Sequence, residues 1–392
     1  MIRKIPITAA VLPLTQIIGS IRGLCSGEKA QEELKQNLAA VLKRRHIILS
    51  DSGLSAFYLI LAALKKGSSR NEVILPAYTA GSLVVSVRKA GLKPVLCDIS
   101  LNDFNMDAAL LPGIISQNTL CIVGVHMFGI VMPGLGRLKK RFPGIFIIED
   151  ACQSFGSRMQ GEMADAAADV SFFSFNRGKN LPTYGGGCIA LNNTELAQKI
   201  IKEAMSAQET GLGDKIRIWM KMLAMSVVVN PRLYGAIYPM LCRFKEVSPP
   251  HDFSVKRYTD VQAQVALDLL RQADASAAKR VYNGMRLIAG LKDSDALIVP
   301  DIPAHTKPAF NRFPVVFKDA DKRSRAEKAL WRHGFETSRM YMRPLHMMFD
   351  LGYAKAGFPN AEYLAERLLT LPVHLLLTES DLKKIIDTIR ES

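Results

Sequence analysis

Two residues capable of catalytic chemistry stand at the ends of apolar runs in the middle of the chain. Asp150 ends the run Ile145–Asp150, while Ser174 and Lys179 flank the end of the run Val170–Phe175. Taken alone, such an aspartate usually caps the next helix, and such a lysine is usually a solvated loop residue. Together they suggest a site in which a carboxylate holds a proton on a ligand nitrogen and an amine attacks a carbonyl.

A pyridoxal-phosphate (PLP) site needs a lysine, a carboxylate, a phosphate-binding turn and a flat side chain, and the sequence offers a candidate for each. Lys179 would bind the cofactor covalently, and Asp150 would pair with its pyridinium nitrogen. The turn Ser52–Ser55 contains a glycine and opens a helix, which suits a phosphate because helix starts present N–H groups. Tyr78 follows a further apolar run, where its ring can pack against the cofactor. These residue types and positions predict PLP as the cofactor.

The elements that must position these residues predict an α/β fold. Short apolar strands alternate with helices, which indicates a large domain with a mostly parallel sheet covered by helices on both faces. Ligands of such sheets bind at the carboxyl ends of the strands, where Tyr78, Asp150 and Lys179 stand. The predicted strands are Glu72–Pro76, Pro94–Asp98, Leu120–Val125, Ile145–Asp150, Val170–Phe175 and Gly187–Leu191.

Three stretches are expected along the 392 residues. Residues 46–250 would form the PLP-binding large domain, with a hydrophobic insertion near 206–250. Residues 251–392, where long helices flank a strand near 310–317, would form a smaller C-terminal α+β domain. Residues 1–45 would pack alongside the small domain. Prolines interrupt the apolar start and no small-x-small cleavage site follows, so we interpret it as part of the mature protein.

Composition and charge limit the kinds of molecule that the protein is expected to bind. The net charge of +15 arises from dispersed basic residues without a nucleic-acid-binding module, so no nucleic acid is expected, while an anionic small molecule is compatible. The six cysteines form no CxxC pair and lie mostly in apolar runs, which favours a reducing cytoplasm. No His/Cys/Asp cluster has metal-ligand spacing, and no apolar stretch is long enough to span a bilayer.

At these residues the sequence resembles the DegT–DnrJ–StrS family of PLP-dependent sugar aminotransferases, which have fold type I. The family pattern is an Asp-x-x-Gln/His element followed by Phe-Ser-Phe-x-x-x-Lys-Asn. The chain reads Asp-Ala-Cys-Gln at 150–153 and Phe-Ser-Phe-Asn-Arg-Gly-Lys-Asn at 173–180. Other matching pieces are Asn71–Thr79, Asp98–Asp107, Val125–Gly129, Arg343–His346 and Leu371–His374.

The resemblance implies roles for single residues. Lys179 would form the Schiff base with the cofactor and shuttle protons, Asp150 would pair with the pyridinium, and Gln153 would approach the ring hydroxyl. The groups holding the phosphate would be the Ser174 hydroxyl and the backbone of Gly53 and Leu54.

Some positions depart from the family pattern. Position 54 is leucine where the family usually has threonine, which leaves Ser55 as the alternative hydroxyl. The usual stacking aromatic falls at Ala80, which leaves Tyr78 as its substitute. A family asparagine, often contributed by the partner subunit, falls near Val255. Arg257 is kept as a cofactor-site residue, which implies a homodimer with shared active sites.

The resulting functional prediction is an aminotransferase. It would move an amino group, with glutamate as donor, to a nucleotide-linked keto sugar used in surface polysaccharide or glycan biosynthesis. The alternatives are a PLP-dependent sugar dehydratase and a PLP-binding, non-catalytic regulatory or interaction protein. Three histidines, at 126, 346 and 374, could contact substrate or be hydrogen-bonded at turns.

Residues 214–244 form an unusual segment in which Lys and Arg interrupt apolar runs that contain Trp219. Such a composition suits a helix lying on an anionic membrane, with Trp219, Met222, Leu223 and Val227 as its apolar contacts. The favoured alternative is packing against the protein's own second domain or a partner subunit. The predicted location is therefore the cytoplasm, with peripheral membrane contact as the open alternative.

Overall fold

The computed structural model describes residues 3–9, 12–24, 28–163, 168–231, 233–236 and 250–392. Its strands are β1 (His46–Ser50), β2 (Glu72–Pro76), β3 (Lys93–Cys97), β4 (Thr119–Val125), β5 (Phe146–Asp150), β6 (Arg158–Met159), β7 (Glu162–Met163), β8 (Val170–Ser174), β9 (Gly187–Leu191), β10 (Leu297–Ile298), β11 (Thr306–Lys307), β12 (Phe313–Phe317) and β13 (Leu368–Leu371).

The α-helices of the described residues are α1 (Leu14–Gly19), α2 (Lys29–Leu42), α3 (Gly53–Lys65), α4 (Gly81–Lys89), α5 (Leu111–Ile114), α6 (Leu135–Arg141), α7 (Thr194–Ala204), α8 (Leu212–Val228), α9 (Asp260–Arg271), α10 (Ala273–Leu291), α11 (Ala320–Arg332), α12 (Leu345–Met348), α13 (Pro359–Arg367) and α14 (Glu379–Arg390). Single 3-10 turns cover Ser20–Leu24 and Met127–Gly129. None of these helices is long and apolar enough to cross a bilayer.

A seven-stranded sheet in the order β1-β9-β8-β5-β4-β2-β3 forms the centre of the fold. Strands β3, β2, β4, β5 and β8 run parallel, and β9 runs antiparallel to both of its neighbours. The strands β4, β8 and β9 are apolar and almost wholly buried, as expected where helices cover both faces. The prediction of a mostly parallel α/β sheet is confirmed.

The start of α3 is fixed at the carboxyl end of the sheet. The Ser52 hydroxyl caps the helix by accepting the N–H of Ser55 at 3.0 Å. Further along the helix, Phe57 stacks on Phe172 of β8 with ring centroids 5.0 Å apart. Ser52 also forms a bridge with Gly186, so the chain before β9 holds the same turn from the other side.

The C-terminal part has its own antiparallel sheet, in the order β10-β12-β13. The apolar spacing over 259–289 predicts one continuous helix, but Gln272, at φ −105° and ψ 1°, separates α9 from α10. Hydrophobic periodicity continues through such a break because both helices bury the same kind of face.

The first residues of the chain pack on this C-terminal part. Ile5 pairs with Phe335, Arg3 forms an ion pair with Asp381 at 2.7 Å, and the Pro6 carbonyl contacts His374. Farther along, α2 packs on α9 and on β1, beside the central sheet. Residues before β1 therefore touch both sheets rather than the C-terminal part alone.

Candidate active site

Asp150 lies at the carboxyl end of β5 as a buried carboxylate. Its Oδ1 accepts the N–H of Cys152 at 2.9 Å. Burial raises the pKa of Asp150, because a low-dielectric surrounding disfavours its charge, while hydrogen bonds from Cys152 and the positive charge of Lys179 oppose that rise. The carboxylate and the lysine amine therefore act on each other across one site.

The turn that carries Lys179 is tied down on several sides. The Lys179 N–H donates to the Asn176 carbonyl at 3.1 Å. The Asn180 amide donates to the carbonyls of Phe155 and Ala309, at 2.9 and 2.6 Å. In addition, the Asn311 amide donates to the carbonyl of the preceding Gly178. The backbone before and after the lysine is thus fixed while its amine remains half-buried.

Gly53, Ser174 and Cys152 converge at the start of α3. A Cβ placed on Gly53 would stand 2.8 Å from the Ser174 Cβ and 3.1 Å from the Cys152 Sγ. The N–H groups of Gly53 and Leu54 belong to the first helical turn and have no intrahelical acceptor. Glycine thus brings a helix start and a serine hydroxyl together at the end of the strand that precedes Lys179.

The Ser55 hydroxyl is buried and already engaged. It accepts a hydrogen bond from the Ser52 hydroxyl at 3.0 Å, and it also bonds to the Asp51 carboxylate. Ser55 therefore supports the turn from inside and does not replace the threonine hydroxyl that Leu54 lacks.

Tyr78 is fully buried, and a second tyrosine covers it. The Tyr78 hydroxyl accepts the N–H of Tyr341 at 3.3 Å, and the two rings meet at 60° with centroids 5.6 Å apart. Burial raises the pKa of Tyr341, and the nearby charge of Asp150 adds to the rise. Tyr341 therefore lies near enough to the Asp150 carboxylate for the two groups to interact, and its ring packs against Tyr78.

Gln153 lies one turn after Asp150, with its amide oriented by the neighbouring 3-10 turn. Its Oε1 accepts the Phe128 N–H at 3.2 Å, and its Nε2 lies 3.5 Å from the Met127 sulfur. Fixing Oε1 as an acceptor leaves Nε2 as the donor that a ligand would meet.

Arg257 is not brought to this site within one chain. Its guanidinium pairs with Glu209 at 2.7 Å, and 44% of its side chain is exposed. Its backbone N–H donates to the Gln208 carbonyl, shortly before α8 begins. A role for Arg257 at a cofactor requires the site of another chain.

A closed polar network lies behind Asp150. His126 Nε2 lies 2.6 Å from Glu149 Oε1, and the Ser171 hydroxyl bonds to the other oxygen of Glu149. Since His126 Nδ1 accepts the Met132 N–H at 3.0 Å, Nε2 is assigned as the donor to Glu149. All three side chains are buried, so this network braces neighbouring strand ends and does not contact substrate.

The other two predicted histidines are also internal. His346 bonds to the Lys355 carbonyl and to Glu362. His374 donates to the Pro6 carbonyl at 2.7 Å, and burial lowers its pKa to about 4. No group of three metal-ligating side chains occurs among the described residues.

Two residues that frame the site were missed from sequence. Tyr341 precedes the matched element Arg343–His346 by two residues, so its signal was proximity to that motif. Arg312 stands between Asn311 and an apolar strand, and nothing in its sequence context marks it as functional.

These groups fit pyridoxal phosphate. Because Gly53 lacks a Cβ, the start of α3 approaches the Ser174 side chain closely, and this helix start with its neighbouring hydroxyl forms a cradle that suits a phosphate. The buried Asp150 carboxylate interacts with the charge of Lys179, and the two groups suit the ring nitrogen and the aldehyde. The fold and this arrangement define a fold type I PLP-dependent enzyme.

The chain belongs to the DegT/DnrJ/EryC1/StrS aminotransferase family, whose model matches residues 14–390. It is similar to a dTDP-3-amino-3,4,6-trideoxy-alpha-D-glucose transaminase of Micromonospora megalomicea, with 27% identity over 88% of this chain and 85% of that protein. A pleiotropic regulatory protein of Geobacillus stearothermophilus is 27% identical over 92% of this chain and 88% of its own.

The fold matches solved structures closely. The PLP form of Spr1654 from Streptococcus pneumoniae superposes with a TM-score of 0.80 at 21% identity, covering 99% of this chain and 98% of that one. A pyridoxamine-phosphate form of the same protein also matches. The cofactor of this family is PLP, and the chain is a member of a sugar aminotransferase family.

Proposed function

We propose that the protein transfers an amino group from glutamate to a nucleotide-linked keto sugar, for the biosynthesis of a surface polysaccharide or another glycan. The observation that carries the proposal is the buried Asp150 carboxylate, which interacts with the charge of Lys179 and ends the strand beside the one that carries Ser174 of the Gly53 cradle. In the overall reaction glutamate becomes 2-oxoglutarate, and the sugar ketone becomes an amine.

Each residue of the site has one physical task. The bound cofactor supplies a carbonyl that carries the amine and a ring that accepts electrons. Asp150 holds a proton at the ring nitrogen, which keeps the ring electron-accepting. Lys179 Nζ anchors the cofactor between turnovers and moves the proton on and off the substrate carbon. Ser174 and the start of α3 hold the phosphate, and Gln153 Nε2 donates toward the ring hydroxyl.

Two basic residues beside the Lys179 turn support an anionic, nucleotide-linked substrate. Burial lowers the pKa of Lys221 on α8, and the nearby charge of Arg177 adds to this shift. Asp214, an acidic residue of the same helix, is taken up by Lys256 at 2.9 Å and Arg217 at 3.0 Å. Because Asp214 is already paired, the neighbouring charges of Lys221 and Arg177 would attract a diphosphate.

The test is amine transfer with a panel of keto sugar nucleotides, followed by mass spectrometry of the sugar product. We expect glutamate-dependent formation of an amino sugar nucleotide, which Asp150→Asn and Lys179→Ala abolish. Asp150→Asn should keep part of the bound cofactor, because the amide preserves the shape but cannot hold the ring proton.

The assay separates the alternatives. A dehydratase would release a product that has lost water and gained no amine. A regulatory protein would bind PLP but convert none of the sugars. Either result would refute the proposed transfer.

We also propose a homodimer formed through α1 and α8. Both helices expose apolar side chains on neighbouring surfaces, including Leu14, Ile18, Leu212, Ile216 and Met220, which are 42–59% exposed. Such a patch usually marks an interface. The exposed Arg257 lies just before this surface, where it can reach the site of a second chain.

Most of the apolar side chains that would contact a membrane in segment 214–244 pack inside the protein instead. Trp219 donates its indole N–H to the Ile17 carbonyl at 2.8 Å, and Met222 and Leu223 pack in the same internal cluster. Of the apolar contacts predicted for a membrane, only Val227 is exposed. Position 232 and positions 237–244 of that segment lie outside the described residues.

The dimer is tested by sedimentation of the wild type and of Ile216→Asp and Met220→Asp. We expect a wild-type dimer that both exposed substitutions convert to monomer without unfolding. A monomeric, fully active wild type would refute the dimer. Flotation of the wild type with anionic liposomes would instead assign this surface to a membrane.

The expected division into a PLP-binding part at 46–250 and a smaller part at 251–392 also remains our proposal. The seven-stranded sheet and the sheet β10-β12-β13 each lie within one part, which supports the division, while the small sheet β11-β6-β7 joins the two parts.

A further inference from the structure

Arg312 is a half-buried guanidinium with no ionic partner among the described residues. Its Nε is buried without a hydrogen-bond partner, and no ion pair or hydrogen bond joins the side chain to any described group. Burial lowers the pKa of Arg312, and the charge of Glu336 opposes that shift without a direct ion pair. A buried guanidinium that no anion contacts among the described residues is costly, so a fold that keeps one implies an anion that arrives from outside.

The other arginine in this region, Arg280, also has a buried Nε without a hydrogen-bond partner, but its Nη1 is hydrogen-bonded. Arg280 donates through Nη1 to the carbonyls of Phe310 and Asn311, at 3.0 and 3.3 Å. It therefore braces the backbone that presents Arg312. Glu336, whose field reaches Arg312, already accepts the Ile7 N–H at 3.0 Å and the Tyr234 hydroxyl at 2.5 Å.

The position of Arg312 points to the active site. The preceding Asn311 binds the carbonyl of Gly178, directly before Lys179. The charge of Arg312 also acts on Tyr341 and Tyr78, and Tyr341 is in turn influenced by the Asp150 carboxylate. The guanidinium thus lies near the tyrosine pair, and its backbone is joined to the turn that carries Lys179.

We propose that Arg312 binds a carboxylate of the amino-acid donor in the active site. A guanidinium presents a planar fork of N–H groups that matches a carboxylate, and half-burial strengthens the pairing. The charge would hold the donor while Lys179 acts on its neighbouring carbon. This inference rests on the proposed aminotransferase function, because that function supplies a donor with carboxylates.

The test measures binding rather than turnover. Glutarate carries the two carboxylates of glutamate but no amine, so it binds the PLP-loaded enzyme without reacting. Titration calorimetry with glutarate should show that Arg312→Gln weakens binding by roughly 10- to 100-fold, as expected for a lost charged hydrogen bond. Arg312→Lys, which keeps the charge but loses the fork, should fall between.

Thermal unfolding gives a second readout. Glutarate should raise the melting temperature of the wild type but not that of Arg312→Gln, because ligand binding stabilises only a protein that binds. Without glutarate the variant should melt no lower than the wild type, because an unpaired charge has been removed. Arg286→Gln, a change at an exposed arginine facing Glu379, should behave as wild type throughout.

A matched titration with UDP separates the two sources of an anion. Arg312→Gln should leave UDP affinity unchanged, whereas Arg177→Gln should weaken UDP and spare glutarate. Unchanged glutarate affinity in Arg312→Gln, absent glutarate binding in the wild type, or a selective loss of UDP binding would each overturn the inference. A wild type that binds glutarate through Arg312 but never converts glutamate would refute the proposed function instead.

Discussion

The cradle at Gly53 provides the sharpest single test of the cofactor site. In Gly53→Ala the new methyl would lie 2.8 Å from the Ser174 Cβ and 3.3 Å from its hydroxyl oxygen. Carbon atoms pack at about 3.5–4.0 Å, so the neighbours must move by roughly 1 Å. Overpacking of this kind costs about 1–3 kcal/mol, and the better helix propensity of alanine returns up to about 1 kcal/mol.

Stability and cofactor binding should therefore respond differently. The net loss of at most about 3 kcal/mol lowers the melting temperature of the apoprotein by several degrees. Cofactor affinity should fall at least about tenfold, because the methyl displaces the Ser174 hydroxyl that is proposed to hold the phosphate. Fluorescence titration of the apoprotein with PLP measures the affinity, and scanning calorimetry measures the stability.

Two further variants isolate the cause. Gly67, just after the far end of α3, has nothing within 4 Å of an added Cβ, so Gly67→Ala should match the wild type in both assays. Adding Ser174→Gly to Gly53→Ala removes the nearest clashing atom, so it should restore stability but not cofactor affinity. If Gly53→Ala binds PLP as tightly as the wild type, the phosphate lies elsewhere and the cradle has been misassigned.

Three other outcomes are expected. Because burial raises the pKa of Asp150, its carboxylate should become protonated at a pH above about 3.9, the ordinary aspartate pKa. The PLP affinity of the apoprotein should therefore fall on acidification, and titrations at a series of pH values should show no such fall for Asp150→Asn. The pKa of Asp381 is lowered because its bonds to Arg3 and to a helix cap outweigh burial, so its stabilisation is present above about pH 4 and lost as the pH falls through its lowered value. Asp381→Asn should therefore lower the free energy of unfolding by about 1–2 kcal/mol at pH 7, with a correspondingly lower melting temperature. The difference from the wild type should shrink in acid, and an equal difference at pH 3 would contradict this prediction. Trp219→Asp with Leu223→Asp should lower the melting temperature itself, because both side chains pack internally, and unchanged melting with loss of liposome binding would show the opposite arrangement.

The residues proposed to bind the cofactor could be found from sequence because their signals are local. Asp150, Ser174 and Lys179 all stand at or just after apolar runs, and strand ends on one side of a parallel sheet converge. The same local logic predicted Glu72–Pro76 and Gly187–Leu191 with the bounds that the structure gives. The capped turn before α3 could also be predicted, since a serine followed by a glycine at the start of an apolar run is typical of a helix N-cap.

Other contacts depend on elements far apart in the chain, and no local pattern encodes them. Tyr341 reaches Tyr78 across 263 positions, and its ring covers the residue that sequence alone assigned to the cofactor ring. Whether a side chain on α8 faces inward or outward depends on what α1 places beside it, so Trp219 could be read as a membrane anchor until Ile17 was located against it.

The sequence by itself determined the fold class and the family and pointed to the proposed lysine–aspartate pair, because these follow from short patterns of burial and spacing. Only the tertiary structure decided which charges are compensated. Arg312 is an ordinary basic residue in the sequence, and it becomes a candidate carboxylate site only where folding buries it and places no anion in contact with it among the described residues. Ion pairs such as that of Arg3 with Asp381 join distant parts of the chain, so pairing of this kind depends on three-dimensional proximity.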